Sequence, residues 1–141
     1  MRIARIERNK FNQAVSDGLY PCAPETKPGS RRLFEVPDLI GLHFFARMTE
    51  RGELPRIAGS IVCRIIDEVR QKPDAERVYL AMAMNGANYS SSGDNSVNIA
   101  VGNVFAGDVP LEEVRAFQVA NVRKLVLAGL ADEAGVVGED D

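Results

Sequence analysis

The chain has 141 residues, 45% of them hydrophobic and 26% charged, with a formal net charge of −3 and no tryptophan. That length holds one domain, or a small domain with an appendage, and the composition is ordinary for a globular protein with a modest core. No apolar run approaches the roughly 18 residues a membrane span requires, and the basic start MRIARIERNK lacks the apolar core of a secretory signal, so a cytoplasmic protein is expected.

The two cysteines, Cys22 and Cys63, form no CxxC pair and have no local histidine partner. Zinc needs about four ligands, and His43 is the single histidine, so no metal is expected. Both thiols are expected to be reduced. The charge is unevenly spread. Residues 1–72 hold thirteen Lys and Arg against nine Asp and Glu, a net +4; residues 73–141 hold four against eleven, a net −7. A basic front on an acidic back suits a protein that presents one end to a polyanion.

Residues 2–16 carry a helical pattern. Ile3, Ile6, Phe11, Ala14 and Val15 fall near one face, with Arg2, Arg5, Arg8 and Lys10 around the others. Asn9 is a good N-cap and can divide the stretch into two short helices. Gly18 is placed as a C-terminal stop, where a left-handed residue is wanted. Pro21, Pro24 and Pro28 stiffen the loop that follows. Pro28-Gly29 is a turn signal, and Arg31-Arg32-Leu33-Phe34 can leave it as a short strand.

Val36-Pro37-Asp38 opens the next helix, expected to run to about Thr49 or Arg51 and to end at Gly52. Leu39, Ile40, Leu42, Phe44, Phe45 and Met48 make it apolar over much of its circumference, which places it centrally in the core. Pro55 opens a third helix, amphipathic through Ile57, Ala58, Ile61, Val62, Ile65, Ile66 and Val69. Lys72-Pro73-Asp74 is the candidate boundary.

Beyond it the period changes. Residues 77–84 read as a buried strand, 85–95 as a polar loop and 96–105 as a half-exposed strand pairing with the first across that long loop. Asp108-Val109-Pro110 is expected to open a last helix over about Leu111–Leu130, with an acidic tail behind it. The apolar stripe of that helix, including Val114, Phe117, Val122 and Leu125, is the expected homodimer element. Two strands and a helix are thin as an independent domain.

The segment from Phe11 to Arg56 carries a resemblance. Phe11 to Val15 would lie on a recognition helix. Asp17-Gly18-Leu19-Tyr20-Pro21 looks like the turn that ends it, Gly29-Ser30-Arg31-Arg32-Leu33-Phe34 like a wing, and Pro37-Asp38-Leu39-Ile40-Gly41-Leu42 like the start of the next helix. Arg47 to Arg56 is similar to a helix–glycine–helix step. This arrangement resembles the MerR-type winged helix-turn-helix over roughly residues 3–70. The stretch GxYPCAPxTxxGxxRxF is also similar to that of bacterial and prophage-encoded proteins. The first helix of a full helix-turn-helix has little room before Ile6. The cysteine-bearing metal loops and the long dimer helix of that family are absent, so no effector is implied.

The resemblance implies a winged helix-turn-helix over residues 1–72; with the β-hairpin and helix read from the pattern over 73–141, expected to serve dimerisation or partner binding, the chain is expected to be α+β. The resemblance also implies double-stranded DNA as partner, with the helix in the major groove. Asn12 and Gln13 would read adenine edges, and Arg5, Arg8 and Lys10 would meet guanine or phosphate. Lys27, Arg31 and Arg32 would meet phosphates from the wing. Tyr20 and Phe34 are expected as core anchors of the wing.

Catalysis has little support. His43 lies on an apolar helix, Ser90-Ser91-Ser92 has no base nearby in sequence, and residues 85–93 lack a phosphate-binding GxxxxGK[ST] loop. The expectation is a homodimeric bacterial or prophage transcriptional regulator with no cofactor. A recombination-directionality factor or a small DNA-packaging subunit would use the same module. The alternative from another class is a protein-interaction adaptor that binds no DNA.

Overall fold

The computed structural model describes residues 8–24, 33–92, 104–105 and 109–134. The elements run α1 (Arg8–Ser16), α2 (Val36–Glu50), α3 (Pro55–Gln71), β1 (Val78–Ala83), β2 (Asn88–Ser91), β3 (Val104–Phe105), β4 (Val109–Phe117) and α4 (Val119–Ala134). The protein is therefore α+β, and it divides into two compact units. One holds residues 1–66 and 122–141; the other holds residues 67–121. The divisions fall inside α3 and inside α4.

In the first unit, two helices end in the same way. After α1 the amide of Gly18 donates to the carbonyl of Val15 at 3.1 Å, and that of Leu19 to Ala14 at 2.8 Å. After α2 the amide of Gly52 donates to Thr49 at 3.1 Å and that of Glu53 to Met48 at 3.0 Å. Both closures need a left-handed residue one place beyond the cap, and Gly18 and Gly52 have φ of 73° and 95°. At the start of α2, the Asp38 carboxylate accepts the amide of Glu35 at 2.9 Å. An orphan donor that the helix leaves behind is satisfied in this way.

The core of this unit is built on α2 and α3. Ile40, Leu42, Phe45 and Met48 are buried on α2, and Ala58, Val62, Ile65 and Ile66 on α3. Gly41 lets the two helices close: a Cβ built there would lie 2.6 Å from Ile66 Cγ1 and 3.0 Å from Val62 Cγ1. Cys22 and Cys63 are joined by a disulfide, with their Cα atoms 5.5 Å apart. Reduced thiols were the expectation from sequence. The correction has a tertiary cause, because the turn after α1 lies along α3 and brings together two residues 41 positions apart.

The second unit carries an antiparallel sheet in the order β2-β1-β4-β3. Tyr79 pairs with Ser91 and Met82 with Asn88 on one side of β1; Val78 pairs with Phe117 and Met82 with Glu113 on the other. The β1–β2 hairpin is tight. Ala83 accepts the amide of Gly86 at 2.9 Å and donates to the carbonyl of Ala87 at 2.8 Å, and Asn85 Oδ1 accepts the amide of Ala87 at 2.9 Å. Gly86, at φ 87°, supplies the left-handed position.

Two expectations are corrected here. The polar loop predicted over 85–95 contains β2, so the hairpin partner of β1 is Asn88–Ser91. Of the strand predicted over 96–105, residues 96–103 lie outside the described residues, while Val104 and Phe105 pair with β4. The helix predicted from Leu111 begins only at Val119, because Val109–Phe117 is a strand between β1 and β3. Leu, Glu, Arg and Ala favour helix weakly, and cross-strand pairing on both sides overrides that preference. Pro110 fits the strand because its carbonyl, which remains an acceptor, takes the amide of Met84 at 3.0 Å.

Gln118 separates β4 from α4. Its Oε1 accepts Arg77 Nε at 3.0 Å, and the amide of Ala120 donates to Glu76 at 3.1 Å. At the far end of β2, Ser92 Oγ donates to Glu68 Oε2 at 2.7 Å. Among the described residues no helix is long and apolar enough to cross a membrane.

Candidate nucleic-acid interface

Helix α1 has one buried and one open face. Phe11 and Ala14, three residues apart, are buried; Asn12, Gln13 and Ser16 are exposed. The apolar face is held by rings. Phe11 meets Tyr20 edge-on at 5.2 Å and Phe34 at 5.9 Å, and Tyr20 meets Phe45 of α2 at 5.0 Å. Edge-to-face pairs at such separations add to the burial of the rings themselves.

Each residue of Gly18-Leu19-Tyr20-Pro21-Cys22 has a place in this support. Gly18 closes α1. The carbonyl of Leu19 lies on α3 at Gly59, where a Cβ would collide with it. Tyr20 is buried in the ring cluster and Cys22 is bonded to Cys63. Gly59 and Cys63 are four apart on α3, so they share one face. Proline at position 21 fixes φ between the two anchors.

The phenol of Tyr20 is buried and its hydroxyl has no hydrogen-bond partner among the described residues. Burial pushes its pKa well above 10.0, and the nearby Asp38 carboxylate adds to the shift. Tyr20 and Phe34 were expected as anchors, and both sit in the cluster. The short strand predicted over Arg31–Phe34 is not formed at Leu33 and Phe34, which are irregular. The ring of Phe34 docks on Phe11 instead of extending a sheet. Cys22 and Phe34 are thus each anchored to the same cluster, one by its bond to Cys63 and the other by its ring on Phe11.

Of the eight predicted DNA-contact residues, Asn12 and Gln13 are the two whose side chains are described. Both are exposed and adjacent on α1. Arg5, Lys27, Arg31 and Arg32, and the side chains of Arg8 and Lys10, lie outside the described part of the structure. Gln13 is engaged: its Nε2 donates to both carboxylate oxygens of Asp17 at 3.0 Å. Sequence reasoning missed this bond, although the four-residue spacing signals it. Asp17 also sits at the negative end of the α1 dipole, so the C-terminal end of the helix disfavours a polyanion and the N-terminal end favours one.

The predicted dimer residues do not form one helical stripe. Val114 and Phe117 lie on β4, and Val122 and Leu125 on α4. Phe117 is buried with the Arg115 guanidinium 5.4 Å above its ring, and Val122 is buried as well. Val114 and Leu125 are exposed, at 37% and 47%. His43 packs edge-on against Phe44 at 5.8 Å. Among the described residues no cluster of three or more His, Cys, Asp or Glu is placed to hold a metal ion. No protein-family profile and no curated protein matches the chain.

Proposed function

We propose that the chain is a double-stranded-DNA-binding protein of the transcription-regulator class, contacting the major groove through the open face of α1. The observation that carries this reading is the mounting of α1. A nine-residue helix, too short to be stable alone, is held by a ring cluster, a glycine closure and a covalent bond. It presents amides outward in the basic part of the chain. In this reading Asn12 supplies bidentate contacts to a base edge. Arg8 and Lys10 meet phosphate, and Lys27, Arg31 and Arg32 meet the backbone as further basic residues of the same part of the sequence. The winged helix-turn-helix of the MerR type is the fold this arrangement would belong to. A homodimer would present two such helices to a two-fold-related site.

The test is footprinting of the purified chain on DNA fragments across a salt titration. A protected site, with affinity falling steeply as salt rises, is the expected result. Replacing Arg31 and Arg32 by alanine should weaken binding on all sequences and reduce the salt slope by about 1 per lost phosphate contact. Asn12→Ala should change which sequences are preferred, at about 1–3 kcal/mol for the base it reads. No binding at low salt, by a chain shown to be folded, sinks the proposal and leaves the protein-interaction adaptor.

A further inference from the structure

We infer that the Cys22–Cys63 disulfide is a redox-operated clamp that sets the rigidity of α1 and hence its hold on DNA. The inference rests on the DNA-binding reading above and adds its regulation. The bond joins the turn immediately after the recognition face to α3, within the same compact unit. Three residues separate Cys22 from Gly18, whose amide closes the helix. The bond therefore acts on the end of α1 through a short, proline-stiffened tether.

Two observations make the bond a clamp rather than a requirement for folding. The carbonyl of Leu19 on Gly59 and the ring of Tyr20 between Phe11 and Phe45 hold the same turn without covalent help. Reduction should loosen the turn while the core of α2 and α3 stays folded. Both cysteines are half-buried and not sealed in the core.

Chromosomal DNA lies in a reducing compartment, where a disulfide persists only as a transient, regulatory bond. A DNA-binding chain whose fold brings two cysteines into bonding distance beside its reading helix is thus placed to respond to thiol status. The chemistry is thiol–disulfide exchange with a low-molecular-weight thiol. Its thiolate attacks one cysteine sulfur, the Sγ–Sγ bond breaks, and the other cysteine leaves as a thiolate. A second thiol resolves the mixed disulfide. Two electrons and two protons pass to the pair, and the reductant leaves as its own disulfide.

The experiment uses the full chain, oxidised with oxidised glutathione or reduced with dithiothreitol, and the Cys22→Ser/Cys63→Ser variant. Hydrogen exchange at the amides of Gly18 and Leu19 and affinity for the footprinted DNA are read in each state. On reduction, exchange should quicken and DNA binding weaken, each about tenfold. Reoxidation should restore both, and the double-serine variant should behave as the reduced chain and ignore redox state. Two free thiols after oxidation, or equal exchange in both states, would overturn the clamp. Changed exchange with equal DNA affinity would overturn the regulation and leave the DNA-binding reading standing. Folded protein that binds DNA in neither state would overturn both.

Discussion

The residue that most directly reports on the core is Tyr20. Its hydroxyl is buried without a partner among the described residues, so removing it should cost little. Tyr20→Phe is expected to leave stability at neutral pH unchanged or raise it by up to about 1 kcal/mol. The pH dependence has a definite sign. The folded-state pKa lies above the unfolded value of about 10, so the folded chain keeps a proton that the unfolded chain releases. The protein should therefore lose stability as pH rises beyond about 10, and the loss should be smaller in Tyr20→Phe. Urea unfolding of both proteins between neutral and alkaline pH measures this. Gly59 is the second such residue. A Cβ there would collide with the Leu19 carbonyl, which is backbone and cannot swing aside. Gly59→Ala should destabilise the chain by about 1–3 kcal/mol in chemical denaturation.

At the scale of the element, α1 combines legible and illegible features. Its buried face and glycine stop follow from the spacing of Phe11 and Ala14 and from Gly18. Gly18→Ala forces a side chain into the left-handed region and should cost about 1–2 kcal/mol. The pairing of Gln13 with Asp17 bears on the proposed DNA contact. Asp17→Asn removes a negative charge from the C-terminal end of α1 and weakens the tie on Gln13. Its DNA affinity should rise severalfold at low salt, and fluorescence-anisotropy titration against the wild type would expose an unchanged value. Strand β4 shows the opposite case. Its residues suit a helix by propensity, and pairing with β1 on one side and β3 on the other decides for a strand. The Asn85-Gly86 dipeptide is a strong short-range hairpin signal, yet residues 85–95 read as one polar loop. The serines and asparagines after it masked the short strand.

For the whole molecule, the disulfide is the largest single constraint. In the chain-entropy account, closing a loop over 41 positions restricts the unfolded chain by about 4 kcal/mol. The double-serine variant should lose stability of that order against the oxidised protein in urea. A loss near zero would mean that the bond does not form in solution. The basic and acidic parts of the sequence do not coincide with the two units, because residues 122–141 group with residues 1–66. Charge along a chain therefore describes the front of this molecule only in part.

Local features could be read from the order of residues: helices opening at Val36 and Pro55 and stopping at Gly18 and Gly52, the apolar face of α1, and a strand after Arg77. These depend on residues near one another, whose backbone preferences and periodicity are written in order. The tertiary structure alone decided the bond between Cys22 and Cys63, the close approach at Gly59, the ring contact between Phe11 and Phe34, and the conversion of Val109–Phe117 into a strand. Each is a meeting of distant segments, and its energy exists only once the chain has brought both partners to the same place.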